Sequence, residues 1–364
     1  MMKNGFCSPI GPNARRALVG LSLAGGFAAA TAAAPQQAAS CRSIDDDRAR
    51  LACYDQTADR AAAPAAAKPG LPAPEPLLPA VMAADAQPNP AATGAGISLS
   101  ALSTTWELDE STKRGTFNLL PHKLNYLLGV NYTTRANTRP SSPSPDHTVP
   151  ASLSLQQIEA KYQLSLKTKL VQDVFGDNGD IWLAYTQQSY WQLYNSRQSS
   201  PFRTTDYEPE AYLTLRTNVS LLGWDWRLLN LGAVHQSNGS GLPFSRSWNR
   251  LYAQFGFENG NWSVLARPWW RIRENAATDD NPDIGSYLGS GDLRLTYARA
   301  GHVVSALGRY STTGKRGGAQ LDWAFPISKG LKGYVQATTG YGASLIDYNH
   351  AQTTFGAGIV IVPW

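Results

Sequence analysis

Two stretches decide the fold: LNLGAVHQS, residues 229–237, and NRLYAQFGF, residues 249–257. A β-strand sends successive side chains to opposite faces. In the first stretch Leu229, Leu231, Ala233, His235 and Ser237 share one face. Asn230, Gly232 and Gln236 share the other, with Val234 the apolar exception. In the second, Asn249 lies with Leu251, Ala253, Phe255 and Phe257, while Arg250, Tyr252 and Gln254 point the other way. A soluble sandwich would turn the apolar stripe toward a second apolar layer. A membrane barrel turns it toward lipid and the polar stripe toward its lumen. On the second reading His235, Ser237 and Asn249 project outward beside lipid-facing residues, next to the hairpin loop 238–248 where the apolar band ends.

The pattern recurs along the chain. From residue 98 onward, twelve alternating segments are separated by turn signals. They begin near His122, Gln157, Asp180, Pro209, Trp226, Ser247, Gly260, Tyr287, His302, Gly317, Gly330 and Gln352. Most run about 10–13 residues, the length of a tilted strand crossing a bilayer. An even count is what a single-chain barrel of a bacterial outer membrane requires. The last segment, TFGAGIVIVPW at 354–364, ends on an aromatic, which is similar to the C-terminal strand signal of such barrels. The sequence therefore predicts an all-β, 12-stranded antiparallel transmembrane β-barrel over residues 98–364, with a flexible N-terminal extension.

Composition agrees. Mean hydropathy is −0.30 and no run of 18 apolar residues follows the N-terminus, which excludes helical spans in the mature chain but not a barrel. Residues 1–34 read as a secretory signal, with a basic region ending at Arg16, the apolar stretch ALVGLSLAGGFAAATA, and small residues at Ala32–Ala34. Removing its three cations, Lys3, Arg15 and Arg16, from the formal charge of +5 leaves +2. That balance, with no basic run interleaved with aromatics, gives no footprint for nucleic acid. Residues 35–97 read as a periplasmic segment with a cysteine pair, then an Ala/Pro-rich linker. Cys41 and Cys53 have one intrachain pairing in an oxidising compartment. Lipid attachment at Cys41 is the alternative, but AASC lies far beyond the apolar stretch.

The outward trio has the elements of nucleophilic catalysis. A serine hydroxyl is a weak nucleophile until an adjacent base takes its proton. His235 is suited to be that base, and Asn249 to accept from the other imidazole nitrogen and fix the tautomer. A neutral amide stabilises an imidazolium less than a carboxylate does, so a bound cation is one candidate to stabilise the oxyanion.

HQSNG at 235–239 followed by SRSWNRLY at 245–252 resembles the outer membrane phospholipase A family. So do YTQQSYWQL at 185–193, SSPFRTTDYEP at 199–209, ENGNW at 258–262, DDNPDI at 279–284 and SLIDYN at 344–349. The resemblance spans most of residues 110–364, in order. It implies a twelve-stranded outer membrane barrel that hydrolyses acyl esters of phospholipids and lysophospholipids at both glycerol positions, depends on Ca2+, and works as a homodimer. Carried over by position, Ser237 is the nucleophile, His235 the general base and Asn249 its orienter. The dimer's calcium is held by the Ser245 hydroxyl and the Ser240 carbonyl, with Ser199 from the facing subunit; Asp280 serves a second calcium site used in the monomer. Gln187 becomes a polar contact across the dimer interface. Ser240 replaces an arginine and Leu242 a polar residue of familiar members, which implies weaker calcium affinity.

Two other functions compete. A passive porin or scaffold would keep the barrel without the chemistry, but wide channels need about 16 strands. A barrel enzyme acting on lipid A would share the outward site without the calcium loop. His122, His147, His302 and His350 lack a serine or metal-ligand partner at useful spacing and read as surface or girdle residues.

Overall fold

The computed structural model describes residues 41–57 and 100–362. The expected leader, nearly all of the Ala/Pro-rich linker and the terminal Trp364 lie outside the described residues. In the N-terminal part, Cys41 and Cys53 form a disulfide with Cα atoms 5.7 Å apart. Helix α1 (Asp47–Thr57) starts where the Ala49 N–H donates to the Asp46 carboxylate at 2.8 Å.

The remaining chain is an antiparallel sheet that closes on itself. Its strands are β1 (Leu120–Pro121), β2 (Asn125–Thr133), β3 (Ile158–Val171), β4 (Asp180–Trp191), β5 (Phe202–Leu221), β6 (Trp224–Ser237), β7 (Ser247–Asn259), β8 (Trp262–Ile272), β9 (Gly291–Arg299), β10 (His302–Ser311), β11 (Arg316–Ser328), β12 (Leu331–Gly340) and β13 (Gln352–Val362). From β3 to β13 each strand pairs with the next. β13 pairs with β2, β2 with β3, and β3 with β4, so no free edge is left in the ring. The two-residue β1 also pairs with β3, ahead of β2, so thirteen segments make the expected twelve staves.

The alternation sorts the side chains as the sequence predicts. Leu231 is 45 % exposed and Leu251 49 %, while Asn230, the residue just before Leu231, is fully buried. The same inversion runs round the ring: Leu164, Leu183, Leu293, Leu321 and Phe355 face out, whereas Ser165, Lys167, Thr214, Asp322 and Gln336 are buried inside. A soluble protein has no use for an apolar exterior over a polar interior, and a lipid-embedded barrel requires it.

The interior is a packed core. Trp182, Tyr212, Leu228, Val234, Trp248 and Trp269 belong to one buried cluster. Helix α2 (Ala101–Trp106) contributes Leu102 and Trp106 to it from the end bearing the short turns. Lys167 points its ammonium at the rings of Trp106 and Trp182, 4.2 and 4.7 Å from their centres, an attraction that grows where water is excluded. Val234, the exception to its polar stripe, is thus a core residue.

Two expected strand starts move. The segment beginning near Pro209 starts earlier, at Phe202. Proline cannot donate to a ladder, yet Pro209 lies inside β5 opposite Tyr185, and pairing with β6 continues in unchanged register from Tyr207–Ser237 to Glu210–Val234. The segment beginning near Tyr287 starts later, at Gly291. Residues Gly285–Leu288 form a helical turn, α3, because Ile284 and Leu288 are drawn into the interior cluster.

At the end bearing the long loops, Arg203 ties three parts of the chain together. Its guanidinium donates to both oxygens of Glu159, at 2.9 and 3.0 Å, and to Asp347 at 2.7 Å. Both carboxylates are almost inaccessible. Removing one member of such a set leaves uncompensated buried charge. Arg203→Met is expected to destabilise the barrel by about 3–5 kcal/mol, measurable as an earlier urea midpoint by tryptophan fluorescence in detergent micelles.

Candidate active site

The hairpin β6–β7 builds the site. Its register sets His235 opposite Asn249 and Ser237 opposite Ser247. His235 is exposed on the outer face, with Asn249 and Ser237 half-buried beside it. His235 Nδ1 meets Asn249 Oδ1 at 2.8 Å. An amide oxygen only accepts, so Nδ1 carries a proton, and in the neutral ring Nε2 presents its lone pair. The Ser237 hydroxyl oxygen accepts from the Gly239 N–H at 3.0 Å. No hydrogen bond joins Ser237 to His235 among the described residues; such contacts commonly tighten when substrate binds.

Gly239 has a φ of +62°, and a Cβ there would stand 3.0 Å from the Tyr207 ring. Only glycine holds this turn without strain. Asn238 clamps the rest of the loop: its amide donates to Phe244 O at 2.8 Å, and its Oδ1 accepts from Arg246 N–H at 3.0 Å. Arg246, itself fully buried, donates to Ser245 O at 2.6 Å and His147 O at 3.1 Å.

The segment DDNPDI docks against the start of β7. Asp280 receives the hydroxyls of Ser245 and Ser247, at 2.7 and 3.0 Å on one oxygen, and His147 Nε2 at 3.0 Å on the other. Asn281 Oδ1 accepts from the Ser247 N–H at 2.9 Å. Asp279 receives Arg271 at 2.6 Å. Two histidines depart from the sequence expectation. His147 is buried in this network, and His122 is buried against Glu210 at 2.8 Å, stacked beside Tyr212. Neither is a surface or girdle residue. His302, stacked on Trp323 at the exposed rim, is one. The signal missed for His147 was DDNPDI itself, an anion far along the chain.

The remaining expected residues fall in distinct places. Ser245 and Asp280 are hydrogen-bonded partners, although the resemblance assigns them to separate calcium sites. Ser240 is exposed on the β6–β7 loop, and its N–H donates to Asn238 Oδ1 at 3.3 Å. Ser199 is exposed in the β4–β5 loop at a positive φ of 58° and joins none of these contacts. Gln187 faces outward from β4 and satisfies its amide within the chain, with Tyr185 and Ser189 each at 3.2 Å.

A sequence model described as phospholipase A1 matches residues 102–361. The chain belongs to the phospholipase A1 family. Phospholipase A1 of Escherichia coli K12 is 42% identical over 245 residues, which cover 67% of this chain and 82% of that protein. The solved outer membrane phospholipase A of Escherichia coli superposes with a TM-score of 0.61 at 41% identity, covering 67% of this chain and 98% of that one. The Salmonella typhi outer membrane phospholipase, solved as a dimer with bound calcium, gives 0.64 at 38% identity, covering 72% and 98%. Family membership accounts for the order of elements; the described residues add a network around one carboxylate that links three loops.

If Asp280 organises that network, replacing it should loosen the loop rather than the barrel. Asp280→Asn is expected to cost about 1–3 kcal/mol locally. Limited proteolysis should then cut within residues 238–246 sooner than in the wild type, while the heat-modifiable gel shift of the folded barrel stays in place.

Proposed function

We propose that the chain is a calcium-dependent phospholipase A of the outer membrane, with A1, A2 and lysophospholipase activities, using Ser237, His235 and Asn249 at the lipid-facing exterior. The observation that carries the reading is the 2.8 Å contact between His235 Nδ1 and Asn249 Oδ1, on the apolar side of the barrel and two residues from Ser237. This polar pair stands where a lipid ester reaches it without leaving the membrane. Long loops of such barrels are extracellular, so the site lies at the outer leaflet.

The steps follow from the tautomer. His235 Nε2 takes the proton of Ser237 as Oγ bonds to the ester carbonyl carbon. The tetrahedral adduct collapses, the lysolipid oxygen leaves, and Nε2 returns the proton to it. Water then attacks the acyl-serine with His235 again as base, releasing fatty acid and restoring Ser237. Asn249 holds the ring throughout, and the Gly239 N–H holds the Ser237 hydroxyl in place.

The donor chemistry suits calcium, a hard cation that takes carboxylate, hydroxyl, carbonyl and water oxygens. Ser245 gives its proton to Asp280, so its lone pairs are free to ligate. The Ser240 carbonyl, the Ser245 hydroxyl and Asp280 would hold the ion. No group of three or more His, Cys, Asp or Glu gathers there among the described residues, and so few anions favour weak, switchable binding. When bound, calcium supplies positive charge for the oxyanion. Ser199, on a separate exposed loop, is suited to complete the site from a second copy, which supports the homodimer as the active form and the monomer as idle. The alternative of a passive barrel loses ground to the packed interior.

The test is release of fatty acid from mixed micelles by the detergent-solubilised protein, with calcium and with chelator. Ser237→Ala is expected to lose at least about 10³-fold in kcat. A folded wild type without activity, or an active Ser237→Ala, would overturn the mechanism. Protein locked as monomer or as dimer by crosslinking separates the second point: calcium-dependent turnover should belong to the dimer, and equal rates would exclude a site shared between copies.

A further inference from the structure

Asn249 does not end the chain of contacts. Its Nδ2 donates to the Glu274 carboxylate at 3.0 Å. Glu274 follows the end of β8 by two residues, and β8 places Ile272 opposite Asn249. His235, Asn249 and Glu274 therefore form one polar row, running from β6 through β7 to the loop just past β8. We propose that Glu274 is a positioning residue for the reaction, fixing which way the Asn249 amide faces and lending its charge to His235 through that amide. The inference rests on the Ser-His-Asn reading above.

An amide side chain can turn over and exchange its donor and acceptor ends. Turned over, Asn249 would offer Nδ2–H to His235 Nδ1. That interaction selects the tautomer protonated on Nε2, which has no lone pair for Ser237. An ionised carboxylate only accepts, so Glu274 holds Nδ2 on its own side and leaves Oδ1 facing His235. The same contact polarises the amide, drawing electron density onto Oδ1 where it meets the ring. It thus restores part of the electrostatic support that an asparagine lacks beside a carboxylate.

The surroundings are consistent with a carboxylate kept for a purpose. Glu274 is half-buried, and burial first, then the nearby Asp279, holds its carboxyl above the usual range. Asp280 acts in the same direction, and Arg271 and the Asn249 contact oppose them. Arg271 is itself engaged by Asp279 at 2.6 Å. Among the described residues, the hydrogen bond of Glu274 is the one with Asn249.

The experiment is a double-mutant cycle on the full-length protein in micelles with calcium, reading kcat, KM and the pH profile. Glu274→Gln removes the charge and lets either end of the Asn249 amide find a partner. It is expected to lower kcat roughly tenfold with little change in KM, and to move the acid limb of kcat/KM to lower pH by up to about one unit. In an Asn249→Asp background the new carboxylate accepts from His235 unaided and faces Glu274 as a like charge. There Glu274→Gln is expected to leave kcat unchanged or raise it. A merely structural glutamate would give the same loss in both backgrounds. That result, or an unchanged kcat and acid limb for Glu274→Gln alone, would overturn the proposal. Ser237→Ala run alongside separates the two readings: if it stays active, the parent mechanism falls; if it is dead while Glu274→Gln is normal, only the role of Glu274 falls.

Discussion

Everything in this barrel follows from closure of the sheet. In hydrocarbon an unpaired backbone N–H or C=O costs several kcal/mol, and no water is present to relieve it. The pairings of β3 with both β2 and β4, and of β13 with β2, remove the last free edges. Once the ring is closed, period two does the rest. One set of side chains meets lipid and the other is forced into a narrow interior, where a polar group without a partner is costly. The cation–aromatic contacts of Lys167 and the double-ended ion pair of Arg203 are what that confinement produces.

The same constraint limits where the proposed chemistry can stand. A catalytic group inside would be walled off from lipid by the sheet and by the packed cluster of tryptophans and tyrosines. A polar group in the middle of the outer band would be stranded in hydrocarbon. The remaining place is the outer face where β6 and β7 leave the apolar band, with lipid on one side and the loops on the other. His235 and Asn249 stand there as direct cross-strand partners, so strand register alone fixes their separation. The loop is then held by Asn238, Arg246 and Asp280, each through contacts with fixed donors and acceptors.

Register and sidedness were legible because they depend on neighbours in sequence. Leu231 outward and Asn230 inward can be read from LNLGAVHQS, and ten of the twelve strand starts fell within a few residues of their expected places. Pro209 misled because a proline suggests a strand boundary, whereas the ladder here tolerates its missing N–H without a change of register. Tyr287 misled because the apolar residues around it answer to an interior core and not to lipid. The histidines failed for a further reason. His147 owes its burial to Asp280, 133 positions away, and His122 to Glu210, 88 away. Local spacing carries no trace of such partners. Glu274 escaped for the same reason: its contact with Asn249 exists only because β7 and β8 are paired.

On the proposed Ser-His-Asn mechanism, that last contact bears on why an asparagine would stand where soluble hydrolases use an acid. Taking a carboxylate out of water costs far more than taking out an amide, unless its charge is matched in place. At position 249, on the lipid-facing stripe with Leu251 and Phe255, a carboxylate would bear that cost in every turnover and in the resting state. An amide there with the carboxylate one side chain further on, in the β8–β9 loop, moves the charge toward water while keeping a continuous path of hydrogen bonds to the base. On that proposal the arrangement would trade part of the electrostatic support of a direct acid for a site that remains stable beside lipid. Calcium, arriving from the aqueous side, would make up the difference at the oxyanion.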